Sequence, residues 1–215
     1  MNKELVLLNC EQGSTEWLLA RLGIPTGTGF KNIVTHTGAK AGGFNTYLAE
    51  LTAEHFEGLS DNGSFKSEFM ERGNVLEPKA RSFYELITNN KVIEVGGVYL
   101  DESKQVMVSP DGLIPELNKG LEIKCPKMKT HIKYLLEGVL PTEYIMQVQS
   151  NLWVTGYDSW DFVSYCPEYT PSPIFMLTIT PDKAIHRGLD KYVPEFLKAL
   201  EMLKTKGVQS GIPVL

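Results

Sequence analysis

Apolar residues in the first 90 positions recur mainly at helical spacing. The segment 41–58 shows this spacing and ends at Gly58, so it predicts a helix. A longer helical pattern covers residues 65–87, where Pro78 predicts a kink or a restart because proline has no backbone N–H. Shorter helices are predicted at 16–22 and near 31–35.

Beyond residue 90 the period changes to extended, and later returns to helical. Strands are predicted at 91–102, 105–114, 121–126, 159–166 and 173–179. Helices are predicted at 129–138, 142–156 and 181–207, and Pro194 predicts a second kink or restart in the last of them. This order of elements is typical of an α/β or α+β sheet flanked by helices. We expect one α/β domain over residues 1–215, with a mixed central sheet.

Residues 109–126 contain the candidate chemistry, because they place two acids and a lysine on adjoining strands. Glu122 and Lys124 lie two positions apart, so their side chains point to the same face of a strand. Pairing of the strands can bring Asp111 beside Glu122. Neighbouring carboxylates repel each other unless a cation lies between them, and oxygen ligands favour magnesium or manganese. Such a set is suited to phosphodiester hydrolysis.

An exposed hairpin would explain the Glu-x-Lys pair by itself. The full pattern, in which Asp111 precedes the pair on a neighbouring strand, has apolar residues around each of its acids. These residues are Leu113, Ile114, Leu121 and Ile123. Their presence favours a site over a solvated hairpin.

Composition limits the cofactors and the compartment more than the activity. The formal net charge of -5 argues against a protein that coats nucleic acid, although basic groups could be concentrated in one channel. Three cysteines without a Cys-x-x-Cys pair disfavour disulfides and a four-cysteine zinc or iron–sulfur site. No apolar run approaches the ~20 residues that a bilayer requires, and the N-terminus is a poor signal peptide. We therefore expect a cytosolic protein.

Five segments resemble, in the same order, the blocks of one nuclease family. SPDGL followed by LEIKCP looks like the PD-(D/E)xK nuclease core, specifically that of the phage lambda exonuclease and YqaJ-type viral recombinase family. EWLLARLGIPTGTGF resembles the N-terminal block of that family, and MERGNVLEP resembles its Gly-x(3)-Glu-Pro helix. YIMQVQSNLWVTG is similar to its Gln-x-Gln helix, and YVPEFLKALE to its C-terminal helix. The likeness covers residues 11–203 and implies a PD-(D/E)xK restriction-endonuclease-like fold.

The resemblance implies a metal centre and its ligands. Asp111 and Glu122 would bind the metal, and the carbonyl of Ile123 would add an oxygen. Glu77, the acid of the Gly-x(3)-Glu-Pro block, would approach from its helix. The cofactor would be Mg²⁺, with Mn²⁺ as a substitute, and three carboxylates favour two ions per site.

Other residues implied by the family handle the water and the DNA end. Lys124 would orient or deprotonate the attacking water, and Gln147 would hold the water or a ligand. Arg21 would bind the 5′-phosphate of the degraded strand, since a guanidinium binds a terminal phosphate with two parallel hydrogen bonds. Hydroxyls of Thr28 and Ser109 would assist. Thr28 keeps the hydroxyl of the serine that is commoner there and adds a methyl group.

The resemblance thus implies a Mg²⁺-dependent 5′-to-3′ exonuclease that degrades one strand of linear double-stranded DNA and leaves a 3′ single-stranded overhang. It also implies a homotrimer ring and a single-strand annealing protein as partner, with no membrane, in a bacterial or phage-infected host cell. Two alternatives stay open: an end-independent endonuclease on the same core, and a catalytically silent DNA-end-binding protein. Iron–sulfur exonucleases on this core are disfavoured, because three scattered cysteines cannot bind such a cluster.

Overall fold

The computed structural model describes residues 4–59 and 68–206, with side chains from residue 71 onward in the second stretch. The strands are β1 (Val6–Leu8), β2 (Gly97–Tyr99), β3 (Met107–Val108), β4 (Gly112–Ile114), β5 (Lys119–Lys124), β6 (Ser159–Tyr165) and β7 (Ile174–Ile179). The α-helices are α1 (Thr15–Arg21), α2 (Phe44–Glu57), α3 (Glu68–Thr88), α4 (Met128–Glu137), α5 (Thr142–Thr155) and α6 (Lys183–Lys206). Gly27–Asn32 and Pro115–Leu117 form 3₁₀ helices.

The central sheet has the strand order β4-β5-β6-β7. Its middle pair, β5 and β6, is parallel, with Glu122 opposite Phe162. The outer pairs, β4 with β5 and β6 with β7, are antiparallel. The sheet is therefore mixed, and helices flank it, as the sequence predicts.

A second sheet, which the sequence pattern did not reveal, is formed by β1, β2 and β3 in antiparallel order. The predicted strand at 105–114 is in fact two strands in two sheets, β3 and β4, separated by Ser109, Pro110 and Asp111. Proline cannot donate to a strand ladder, which explains why the pairing stops there. Of the predicted strand at 91–102, only Gly97–Tyr99 pairs as a strand. The candidate acid Asp111 consequently lies at the junction of the two sheets.

The two faces of β5 have opposite character. Leu121 and Ile123 point to one face and belong to an apolar cluster that includes Ala80 and Tyr84 of α3. The side chain of Glu122 points to the other face, where it contacts α5. Helix α5 also contacts strands of both sheets, the 3₁₀ helix Gly27–Asn32 and α6. The period-two pattern of β5 thus buries an acid beneath a central helix.

The two long helices continue through their prolines, so neither restarts there, and the alternative of a kink stays a prediction. Helix α3 runs through Pro78 and α6 runs through Pro194. A helical proline leaves the carbonyl four residues earlier without its usual donor. Those carbonyls belong to Asn74 and Asp190, which are both exposed, so water can replace the lost donor.

The first 3₁₀ helix corrects another predicted element. A short helix was expected near 31–35, but the helical turn covers Gly27–Asn32 instead. Thr35 lies beyond it in a turn, where its hydroxyl accepts a hydrogen bond from the amide of Ala39 at 3.1 Å. A side chain that bonds its local backbone competes with helix formation, which explains the earlier end.

Replacing Gly120 with alanine is expected to lower the free energy of unfolding by about 1–3 kcal/mol. A Cβ at Gly120 would overlap the ring of Trp160, which is fully buried and paired with Gly120 across β5 and β6. Urea unfolding followed by circular dichroism measures the change. Gly42→Ala is the control, because a Cβ at Gly42 meets no atom within 4 Å. Equal stability of the two variants would contradict the described packing of β5 on β6.

Candidate active site

Glu122 is a fully buried acid that is surrounded by hydrogen-bond donors. Its Oε1 accepts from Lys124 Nζ at 2.5 Å and from Gln147 Nε2 at 2.6 Å. Its Oε2 accepts from Asn151 Nδ2 at 3.2 Å. A buried carboxylate is costly unless it is paired and hydrogen-bonded, and these three donors provide both. The structure therefore brings the predicted residues Glu122, Lys124 and Gln147 together.

Asp111 joins this group through the backbone of β5. Its Oδ2 accepts a hydrogen bond from the amide of Ile123 at 2.6 Å. The backbone carbonyl of Asp111 accepts from Arg81 Nε at 3.1 Å. The carboxylate of Asp111 is thus held beside the segment that carries Glu122 and Lys124, as the predicted strand pairing requires.

Arg81 connects α3 to the same group. One guanidinium nitrogen pairs with Glu77 Oε1 at 2.7 Å, and another pairs with Glu94 Oε2 at 2.8 Å. Because Arg81 also binds the carbonyl of Asp111, a single buried residue links two predicted acids. Glu77 therefore lies close enough to Asp111 and Lys124 to feel their charges.

Burial and mutual repulsion raise the pKa values of the acids in the metal-free protein. Burial raises the pKa of Glu122 to about 8, and the charge of Asp111 adds to the effect. Burial raises the pKa of Glu77 to about 7, again with a contribution from Asp111. Burial also raises the pKa of Asp111. For Lys124, burial acts to lower the pKa, but the charges of Glu122 and Asp111 outweigh it and raise the pKa.

The chemistry of these side chains fits a hard divalent cation. Three acids contribute oxygen donors, and their raised pKa values mean that their negative charges are incompletely compensated. Within residues 4–59 and 68–206, no three acids, histidines or cysteines converge closely enough to hold an ion as the side chains stand. Lys124 and Arg81 occupy oxygens of Glu122 and Glu77 in this arrangement. The role predicted for the Ile123 carbonyl stays a prediction.

A second polar cluster surrounds Arg21. Its guanidinium donates to Ser109 Oγ at 3.0 Å and to Thr26 Oγ1 at 3.2 Å, and stacks 4.1 Å from the centre of the Trp17 ring. Burial lowers the pKa of Arg21, against the effects of Tyr47 and Glu54. Arginine nevertheless stays charged at neutral pH, so the cluster presents a cation that bonds hydroxyl groups.

Arg21 opens into a pocket of about 490 Å³. Thr28 and Lys31 line the same pocket, and Thr28 is exposed there, whereas Thr26 makes the hydroxyl contact with Arg21. Of the predicted phosphate-binding residues, the structure thus places Arg21 and Ser109 in contact and puts Thr28 in the adjoining pocket. Glu54 also lines the pocket, where its carboxylate accepts from the amide of Gly23 at 3.2 Å.

Sequence reasoning missed several residues that contact the predicted ones. Asn151 lies four positions after Gln147, and Arg81 lies four positions after Glu77, so helical spacing could have identified both. Trp17 lies four positions before Arg21 on α1, so helical spacing could also have indicated their contact. Gln12 had no such local indication. Gln12 Nε2 donates to the carbonyl of Pro110 at 2.9 Å, and Trp17 Nε1 donates to Ser109 Oγ at 3.1 Å. Both contacts join the N-terminal part of the chain to Ser109 and Pro110, the two residues before Asp111.

Solved exonuclease structures share this fold and define the class. The alkaline exonuclease LHK-Exo from Laribacter hongkongensis aligns with a TM-score of 0.74 at 32% identity, over 90% of this chain and 97% of that chain. LHK-Exo in complex with dAMP aligns with the same TM-score, 0.74, over the same shares at 33% identity. A phage related exonuclease from Haemophilus somnus 129PT aligns at 0.62 with 13% identity, over 95% and 98% of the two chains, and shows the fold alone. The fold is that of the PD-(D/E)xK nucleases.

The family is established by the sequence match. The model of the YqaJ-like viral recombinase domain matches residues 16–158, and the chain belongs to this family. The ExoD protein of Escherichia coli K12 is 29% identical over 72 residues, which are 33% of this chain and 83% of ExoD. Together these findings support a nuclease that acts on DNA. No helix in the described part of the chain is long and apolar enough to cross a membrane.

Glu77→Gln is expected to gain stability relative to the wild type as the pH rises from about 4.5 to 7 in the presence of a chelator. The pKa of Glu77 is about 7 in the folded protein and 4.5 ordinarily, so across this window the folded state retains a proton that the unfolded chain has lost. Wild-type stability therefore falls with rising pH through this group, and glutamine removes that contribution. Urea unfolding at a series of pH values measures the difference.

Glu168→Gln is the control for this titration. A hydrogen bond from Arg72 lowers the pKa of Glu168 to about 2, so the folded and unfolded carboxylates are both mainly ionised above pH 4.5. The stability difference between this variant and the wild type should stay nearly constant across the window. A similarly constant difference for Glu77→Gln would contradict the raised pKa of Glu77.

Proposed function

We propose that the protein is a Mg²⁺-dependent 5′-to-3′ exonuclease that degrades one strand of linear double-stranded DNA and leaves a 3′ single-stranded overhang. The observation that carries this proposal is the short segment from Ser109 to Asp111. The hydroxyl of Ser109 contacts Arg21, and the carboxylate of Asp111 contacts β5 at Ile123. Ser109, which would help Arg21 bind a terminal phosphate, would thus lie two residues before the metal-binding acid Asp111.

This arrangement would couple end recognition to cleavage. Arg21 would bind the 5′-phosphate, with the hydroxyls of Ser109 and Thr28 as additional partners. A terminus held there would set which phosphodiester reaches Asp111 and Glu122. The LHK-Exo complex with dAMP, a nucleoside monophosphate, agrees with mononucleotides as products.

Glu77, Asp111, Glu122 and the carbonyl of Ile123 would hold Mg²⁺ or Mn²⁺, and two ions per site agree with three acids. The metal would supply activation of water and stabilisation of charge on the phosphate. Lys124, whose pKa is raised, would stay protonated and orient the water or bind a phosphate oxygen rather than accept a proton. Gln147 would hold Glu122 through the contact of 2.6 Å.

A homotrimer ring would explain how a chain with a net charge of -5 binds DNA, because only the central channel needs to be positive. We include in the proposal this assembly and a single-strand annealing protein that receives the overhang. Light scattering across a range of concentrations measures the mass. A monomer mass at every concentration would remove the ring from the proposal without removing the exonuclease.

Linear duplex DNA with a 5′-phosphate on one strand and a 5′-hydroxyl on the other is expected to lose the phosphorylated strand selectively in Mg²⁺. Arg21 can pair with the phosphate charge, which the hydroxyl end lacks. Denaturing electrophoresis with a separate label on each strand measures the loss. Lys124→Ala should slow it by about 10²–10³-fold, the usual effect of removing a donor that stabilises developing negative charge.

The variant Arg21→Gln should degrade both strands at similar, low rates, whereas Arg187→Ala, which removes an exposed arginine on α6, should keep the selectivity. Closed circular DNA should stay intact. Cutting of the circle would favour the endonuclease alternative. If no divalent metal supported degradation while DNA ends were still bound, the protein would be a silent end-binding protein.

A further inference from the structure

Asn151 is a buried polar residue that lies beside the candidate metal site and has no predicted role there. It lies on α5, is 1% exposed and donates to Glu122 Oε2 at 3.2 Å. We propose that Asn151 is a positioning residue, which fixes the carboxylate of Glu122 so that this group presents a free lone pair to a divalent cation. This inference rests on the proposed metal-dependent function.

The contacts of the two oxygens of Glu122 are unequal. Oε1 accepts from both Lys124 and Gln147, whereas Oε2 accepts from Asn151. An ionised carboxylate offers about four lone-pair positions, two on each oxygen. The described donors therefore fill Oε1 and leave one position on Oε2. That position is the one available to a cation without displacing a donor.

Asn151 also determines the orientation of the carboxylate plane. The last torsion of a glutamate side chain is broad, so contacts on one oxygen alone leave the other oxygen free to swing. The donor on Oε2 belongs to a different turn of α5 from Gln147, and both donors are held by that helix. Contacts at both oxygens fix the plane and therefore the direction of the remaining lone pair.

The neutral amide of Asn151 suits this task better than a cation would. Lys124 and Arg81 hold their carboxylates by charge, so each competes electrostatically with an incoming metal ion. An amide satisfies the buried oxygen without adding a positive charge. Asn151 thereby stabilises Glu122 in the metal-free protein and does not oppose metal binding.

A merely structural role for Asn151 makes a different prediction. In that case its loss would lower stability, because a buried oxygen of Glu122 would lose a donor, but the folded protein would bind metal normally. A positioning role requires that metal affinity falls even in the folded protein. Metal affinity in the absence of DNA therefore separates the two roles.

The test is Mn²⁺ binding to the full chain, measured by titration calorimetry without DNA. Asn151→Ala should weaken the affinity by about 10–100-fold, the usual effect of losing a residue that orients a metal ligand. Gln149→Ala is the matched control. Gln149 is a carboxamide on the same helix, 4% exposed, but it bonds the backbone at Thr180 and Asp182 and not Glu122. This control should keep wild-type affinity.

A second variant, Asn151→Ser, gives the same measurement if Asn151→Ala does not fold. A serine hydroxyl can bond a carbonyl of its own helix but is too short to replace the contact with Glu122, so affinity should fall here as well. In a nuclease assay, both variants should need more Mg²⁺ for half-maximal rate and recover most of the rate at saturation.

The outcomes separate this inference from the proposed function. Wild-type Mn²⁺ affinity in folded Asn151→Ala and Asn151→Ser would overturn the positioning role alone. An equal loss of affinity in Gln149→Ala would also overturn it, because the effect would then be a general consequence of disturbing α5. Failure of the wild type to bind Mn²⁺ would overturn the metal-dependent function and this inference together.

Discussion

Burying the carboxylate of Glu122 is a constraint on which much of the site's architecture depends. The residue is fully inaccessible, and an isolated charge in such a place would cost several kcal/mol. Hydrogen bonds offset this cost: one comes from Lys124 on the same strand, and two come from Gln147 and Asn151 on α5. Helix α5 must therefore lie across the sheet with one polar stripe turned towards β5. Its other sides pack against the second sheet and α6.

The same constraint explains why the pKa values of the acids at this site are raised. Asp111 and Glu77 lie near Glu122, and each acid makes it harder for another to ionise. Lys124 and Arg81 compensate part of this charge within the protein. A divalent cation would compensate the remainder, and in binding it would compete with these two side chains. Lys124 and Arg81 thus leave part of the acidic charge uncompensated, which is consistent with metal-dependent phosphodiester chemistry.

Local periodicity was sufficient to predict that Glu122 and Lys124 share one face of a strand, because side chains alternate along β5. Asp111, which the pattern predicts on a strand, lies instead between β3 and β4. Periodicity could not reveal the second sheet, whose strand β1 has only three residues and pairs with β2 from 91 positions away, with Leu7 opposite Val98. The contacts of Gln12 and Trp17 depend on equally distant segments.

Helical spacing could have identified Arg81 and Asn151. Periodicity could not decide between a kink and a restart at the two prolines, since the exposure of the residues four positions earlier is a property of the folded protein.

The central claim is that Asp111 and Glu122 hold a divalent cation, and anomalous X-ray scattering from crystals soaked in Mn²⁺ tests it most directly. The account predicts an anomalous peak bounded by carboxylate oxygens of these two residues, with Oε2 as the nearer oxygen of Glu122. The peak should disappear in Asp111→Asn crystals. A well-ordered site with no Mn²⁺ peak beside either acid would contradict the account.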